Sequence, residues 1–259
     1  MVLRRHAPAQ EQRAFLQLVR PVQTEHALVR LGGEGDGGYL VPDDLDGIVA
    51  CFSPGVSDVT DFEDALLARG MRTFQIDASI ADTPLKHPNN DFERKFLGIV
   101  TDTTRVTLDD WVNAKAGDLP GDLILQMDIE GHEWLTLTRA SDETLRRFRI
   151  IVLELHGLEL AFESFAGLLF APVMERLRQH FDVVHLHANN VIPPLRGQHY
   201  AISPFVELTL LRKDRSKRRD PVTCLPHPLD RDNVLGRPPA KLHPIMYRPD
   251  SAPGAATQH

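Results

Sequence analysis

Asp128, Glu130, His132 and Glu133 crowd the end of the apolar run Leu123-Ile-Leu-Gln-Met127, with one glycine, Gly131, among them. Carboxylates and an imidazole at such spacing can take up and release protons, bind a metal ion or hold a polar ligand. Burying ionisable groups at the end of an apolar strand is costly unless something compensates, so their presence there implies a ligand, a metal or a hydrogen-bond network. Two further apolar runs end the same way. Ile150 to Leu155 carries Glu154 and leads into His156, and Val183 to His187 carries His185 and His187 and leads into Asn189 and Asn190. Three such ends predict one cleft to which all three contribute, because open parallel sheets place their ligands outside the carboxyl ends of the strands.

The elements that must position these groups can be read from the pattern. Apolar positions Phe15, Leu16, Leu18, Val19 and Val22 predict a short N-terminal helix, and Gly32-Gly-Glu-Gly-Asp-Gly-Gly-Tyr39 predicts tight turns or close approach to a ligand. The first central strand is Gly47 to Phe52, followed by the turn Ser53-Pro-Gly-Val-Ser57 and a helix over about 60–69 closed by Gly70. Arg72 to Asp77 is the second strand and Phe96 to Val100 the third, and Thr107 caps a helix with Asp110 three residues on. Strand four is followed by a helix over about 133–147, strand five by a helix over about 172–180, and strand six by a seventh strand at Phe205 to Arg212. Alternation of strand and helix predicts an α/β fold, a mostly parallel sheet with helices on both faces. The last strand, joined to its predecessor by a loop alone, is expected to run antiparallel at an edge. The domain is expected to span 1–213 with an N-terminal helical extension over about 1–30, and 214–259 to form an extended tail over the surface whose end, Ser251 to His259, is disordered.

Composition narrows the function. With 42% hydrophobic and 25% charged residues among 259, the chain is an ordinary globular one. It has no apolar stretch of membrane-spanning length, and no apolar segment follows Arg4 and Arg5, so a cytoplasmic location is expected. Cys51 and Cys224 are expected to be free thiols. The net charge of -7 argues against nucleic acid as a partner, and the basic run Arg212 to Arg219 reads as a solvated connector. A homo-oligomer is compatible with all of this.

A glycine turn after strand one and a carboxylate at the end of strand two, here Gly55 and Asp77, form the minimal apparatus for an adenosine nucleotide. No Gly-x-Gly-x-x-Gly is present, which disfavours a dinucleotide, whereas S-adenosylmethionine lacks a pyrophosphate and needs fewer glycines. In these features the chain resembles the FkbM-type branch of the class I S-adenosylmethionine-dependent methyltransferases. The resemblance rests on Gly32 to Tyr39, on Phe52-Ser-Pro-Gly-Val-Ser57 with Phe62-Glu63, on Asp77, on Thr107 to Trp111, and on Met127-Asp-Ile-Glu-Gly-His-Glu-Trp134. It extends over roughly 28–213 and departs from the usual class I pattern in lacking a second glycine in the loop after strand one.

The resemblance implies a Rossmann-like seven-stranded sheet with its last strand antiparallel. It implies S-adenosylmethionine held by Asp36, Gly37, Gly38, Tyr39, Gly55, Val56, Ser57, Glu63, Asp77, Ala78 and Asp128. It also implies transfer of a methyl group to a hydroxyl of a sugar-containing or other small-molecule acceptor. Asp128, His132, His156 and His187 are the candidates for the acid-base work, and Asp128 with Glu154 or His156 for holding a magnesium or other divalent ion. Two other readings stay open: a metal-dependent hydrolase or oxygenase built on the same Asp, Glu and His ends, and a binding module of the same fold without turnover. Asp77 and the turn at Gly55 are what a hydrolase would not need.

Overall fold

The computed structural model describes residues 6–197 and 199–248. The predicted disorder of Ser251 to His259 lies outside the described residues. Seven strands form the central sheet: β1 (Ile48–Pro54), β2 (Arg72–Ile76), β3 (Asn90–Glu93), β4 (Asp122–Met127), β5 (Phe148–Leu155), β6 (Phe181–Ala188) and β7 (Val206–Arg212). Their order is β6-β7-β5-β4-β1-β2-β3, and β7 runs antiparallel to both its neighbours while the other pairings are parallel. The last strand is therefore antiparallel as expected, but it is not an edge. It slots between β5 and β6 and leaves β6 outermost.

The third strand is not where the apolar pattern put it. β3 is Asn90–Glu93, a polar, half-buried edge strand that offers no apolar run to read. Phe96–Gly98 pairs instead with Arg105–Thr107 in a separate two-stranded sheet, with Leu97 buried and Phe96, Ile99 and Val100 exposed. Phe96 and Ile99 line a cavity, while Leu97 borders the cavity and packs in the core.

On one face of the sheet lie α1 (Ala9–Leu18), α3 (Leu108–Ala116), α4 (Glu133–Arg139), α5 (Asp142–Arg147) and α6 (Ser164–His180), around a core that includes Phe52, Trp111, Trp134, Phe148 and Met174. The opposite face is covered by α2 (Asp61–Leu67) and a hairpin of Leu28–Leu31 with Tyr39–Pro42. The helix expected over 133–147 is two. It breaks at Ala140, where Ser141 caps α5 by accepting the Thr144 N–H at 3.1 Å. The helix expected to begin at Pro172 starts a further two turns earlier and runs through the proline. Phe170, Val173, Met174 and Leu177 bury its inner face, and that packing outweighs the one backbone bond a proline forfeits.

The basic run is stapled in part, and Lys217, Arg218 and Arg219 are exposed as expected. Arg212 bonds Asp122 and Asp214, Arg215 pairs with Asp44, and Arg219 pairs with Asp182. Both cysteines are free. Among the described residues no helix is long and apolar enough to cross a membrane.

Candidate active site

The carboxyl ends of β1 and β4 nearly touch. Gly55 follows β1 with φ +85°, and a Cβ placed on it would lie 1.7 Å from the Asp128 carbonyl oxygen. Only glycine lets the two strand ends approach this closely. The next residue, Val56, donates its N–H to Asp77 Oδ2 at 3.0 Å, while Asp77 Oδ1 accepts from the Ser79 backbone and hydroxyl. Asp77 thus fixes the loop after β1 and still borders open space.

That space is a cavity of about 550 Å³ bounded by the ends of β1, β2 and β4. Ile76, Phe96, Leu97, Ile99 and Leu135 make its apolar walls, and Asp77, Asp128, Glu130 and His132 its polar ones. An apolar cavity with carboxylates at its margins has the character of a small-ligand site.

Asp128 and His156 meet at the cavity's inner edge. His156 Nδ1 donates to Glu133 Oε1 at 3.2 Å, and the same oxygen accepts the backbone N–H groups of Ile129 and Gly131 at 3.0 and 3.1 Å. Glu133 is fully buried, at the first position of α4. The other ring nitrogen, Nε2, lies 3.9 Å from Asp128 Oδ1 and 3.4 Å from Glu130 Oε2. Glu130 adopts φ +54°, a conformation costly for a residue with a side chain and held here by the Glu133 bonds on either side of it.

Electrostatics separates the roles of these groups. Burial first, then the charges of Glu130, Glu133 and Asp36, push the Asp128 carboxyl up to about 7 against the pull of His156. Burial alone would lower the pKa of His156. The bond and charge of Glu133, with the charges of Asp128 and Glu154, outweigh it and push the imidazole up to about 9. At neutral pH the imidazole is charged, and Asp128 is the group poised to exchange a proton. Asp128 Oδ1 is buried and has no hydrogen-bond partner.

Other expected site residues fall elsewhere. His132 is exposed at the cavity rim. Ser57 turns back onto Val59, and the Ala78 carbonyl accepts from Arg94. Tyr39 and Glu63 are buried below the cavity in a network that ties the hairpin and α2 to β1 and β4. The Ser53 hydroxyl contacts both Glu63 and Gln126 Oε1, and Gln126 Nε2 donates to the Tyr39 hydroxyl at 3.2 Å. Ser53 has one proton, so it donates to Gln126 only if Glu63 keeps its own. Burial, which pushes the Glu63 carboxyl up, favours that state. Gly37 and Gly38 shape the hairpin turn. A Cβ on Gly38 would lie 2.2 Å from the Gly33 oxygen. Asp36, exposed, accepts from Asn233 of the tail.

Glu154 and His187 are placed beyond Asp128 along the sheet. Glu154 pairs in register with Glu207, and Glu207 with His187, so the three share one face of adjacent strands. Glu154 accepts from Asn189 Nδ2 at 2.8 Å and lies outside the group of Asp128, Glu130 and His156 whose ligating atoms are all within 4.8 Å of one another. His187 is separated from β4 by two strands, and its Nδ1 lies 3.5 Å from Asp230. Glu207 was missed in the sequence, although a lone carboxylate in the apolar strand Val206 to Leu211 is a readable signal. Asp230 and Asn233, in the polar tail, carried none.

The sequence profile of the methyltransferase FkbM domain matches residues 55–186, just over half of the chain. The chain belongs to the FkbM methyltransferase family. The matched span begins at Gly55 and contains Asp77, Asp128, Glu133 and His156, and it leaves out the glycine-rich hairpin, His187 and the tail. No curated protein matches this FkbM-family sequence. A solved structure with a similar chain is the fibrillarin/Nop5p complex, at 8% identity and a TM-score of 0.39, covering 65% of this chain and 74% of that one. At that identity and score the likeness bears on neither activity nor substrate.

Proposed function

We propose that this FkbM-family methyltransferase uses S-adenosylmethionine and methylates a hydroxyl of a small-molecule or sugar-containing acceptor, with Asp128 as general base. The observation that carries this reading is that Asp128, which lines the 550 Å³ cavity, has a buried Oδ1 with no hydrogen-bond partner and lies beside a charged His156. The cavity suits the cofactor: apolar walls for a flat base, Asp77 for ribose hydroxyls, and Gly55 letting the ends of β1 and β4 meet at its edge. When bound, the cofactor supplies a methyl group on a positively charged sulfur.

The chain's own residues then have three tasks. Gly55, Asp77 and the apolar walls orient the reactants and exclude water, which accounts for much of the acceleration of a displacement. Asp128 accepts the proton of the acceptor hydroxyl at Oδ1, and its raised pKa makes it an effective base near neutrality. His156, held as an imidazolium by Glu133, keeps a positive charge beside Asp128 and stabilises its ionised form.

A second reading, a divalent ion held by Asp128, Glu130 and His156, is favoured by the clustering of their ligating atoms. It requires His156 to give up its Nε2 proton, while Nδ1 keeps its bond to Glu133. The test is calorimetric titration with S-adenosylmethionine and S-adenosylhomocysteine, before and after chelator treatment. Micromolar binding that survives chelation supports the metal-free base. Binding or turnover restored only by magnesium moves the mechanism to the ion, and absence of binding removes the cofactor assignment.

A further inference from the structure

Between Ser216 and Ile245 no apolar residue is buried, yet both ends of this segment are fixed. Ser216 bonds Glu25, and Ile245 to Tyr247 pack into the core while the Ile245 carbonyl accepts from Arg20. The stretch between them passes over the carboxyl end of β6 and the amino end of the antiparallel β7 and is fastened by polar contacts. Asp230 reaches His185 Nε2 at 2.8 Å with a side chain only 5% exposed. Asn233 Nδ2 donates to Glu207 Oε1 at 2.7 Å and to Asp36 Oδ1 at 3.1 Å. Asn190 pairs with the backbone of Val234 through both ends of its amide, at 2.8 and 3.0 Å, and Arg231 pairs with Glu34. Leu229 and Leu235 are exposed, so apolar burial contributes little to holding the stretch down. Beneath it His187 Nε2 is buried with no hydrogen-bond partner, beside Glu207 and in one row with Glu154. A buried polar atom without a partner is costly, and it is satisfied if a ligand enters.

We propose that residues 227–237 are a strap that lifts to admit the methyl acceptor, and that Glu207 and His187 form its binding row, leading through Glu154 to Asp128. The strap closes the sheet on the side away from the cofactor cavity, which opens between β1, β2 and β4. The groups it covers donate and accept hydrogen bonds, as a hydroxyl-bearing acceptor requires. The opening itself is independent of the cofactor assignment, whereas the identity of what passes beneath rests on the methyltransferase reading.

Two measurements on the full chain test this. In native-state hydrogen exchange, the Val234 amide, bonded to Asn190, is expected to exchange at least 100-fold faster than the β6 amides and with little dependence on urea, as a local opening requires. Exchange of Val234 only with global unfolding overturns the strap. In the double variant Arg231→Glu with Asn233→Ala, carbethoxylation of His187 by diethyl pyrocarbonate is expected to speed up at least 10-fold, while affinity for S-adenosylhomocysteine stays within 2-fold. Unchanged labelling, or a parallel loss of S-adenosylhomocysteine affinity, overturns the acceptor-side assignment. Failure of both wild type and variant to bind S-adenosylhomocysteine rejects the cofactor reading alone, since the exchange and labelling rates still decide the strap.

Discussion

Asp128 and His156 set each other's protonation, and Glu133 sets both. Asp128→Asn keeps the shape of the site and removes the base, so kcat is expected to fall by about 100-fold or more while cofactor affinity changes little. Equal losses in both would undo its role. With Asp128 as base, wild-type activity rises with pH through an apparent pKa near 7. Its value in kcat is expected below that in kcat/KM, because a bound cation favours the carboxylate. A pH-rate series on wild type and the asparagine variant checks both. Glu133→Gln removes the principal partner of a largely buried imidazolium and leaves only the charges of Asp128 and Glu154 beside it, a change expected to cost up to about 3 kcal/mol. The folded pKa of His156, about 9, lies above its ordinary 6.5, so the stabilisation is complete below about 6.5 and is lost as pH rises through 9. Urea unfolding of the two proteins should therefore differ most near pH 6 and converge above pH 9.5. A pH-independent difference would mean that the charge of His156 contributes nothing.

Among the elements, the β1–β4 junction is where geometry is least forgiving. Gly55→Ala drives a methyl group into the Asp128 carbonyl, a backbone atom that cannot move without parting the strand ends. Cofactor binding should be lost, with destabilisation of about 2 kcal/mol or more. A variant that melts and binds as wild type would mean that the two strands are not in this register. The strand ends were legible in the sequence because an apolar run closing in Asp128, Glu154 or His187 carries a burial cost that demands explanation. β3 was not legible, since an edge strand half in water tolerates Asn90 and Asp91, and its polar composition looks like a loop. Phe96 and Ile99 misled for the complementary reason: their apolar side chains line a cavity instead of packing in the central sheet.

For the whole molecule, the cofactor assignment makes a thermodynamic demand. A ligand at 100 times its dissociation constant stabilises the folded state by about 2.7 kcal/mol. For a chain of this size S-adenosylhomocysteine should raise the melting temperature by roughly 5–10 °C. A shift below one degree at saturating ligand would contradict the cavity assignment. At this scale the sequence by itself determined the α/β class, the antiparallel last strand, the Gly55 and Asp77 loop and the three polar strand ends, because each is a local pattern whose physical cost is local. Only the tertiary structure decided that β7 lies inside the sheet, that Glu133 holds His156 in its charged form, and that Asp230 and Asn233 of the tail close over Glu207 and the histidines of β6. Those outcomes depend on which groups meet across long stretches of chain, and on the desolvation that follows when they meet, and neither leaves a trace in residue spacing.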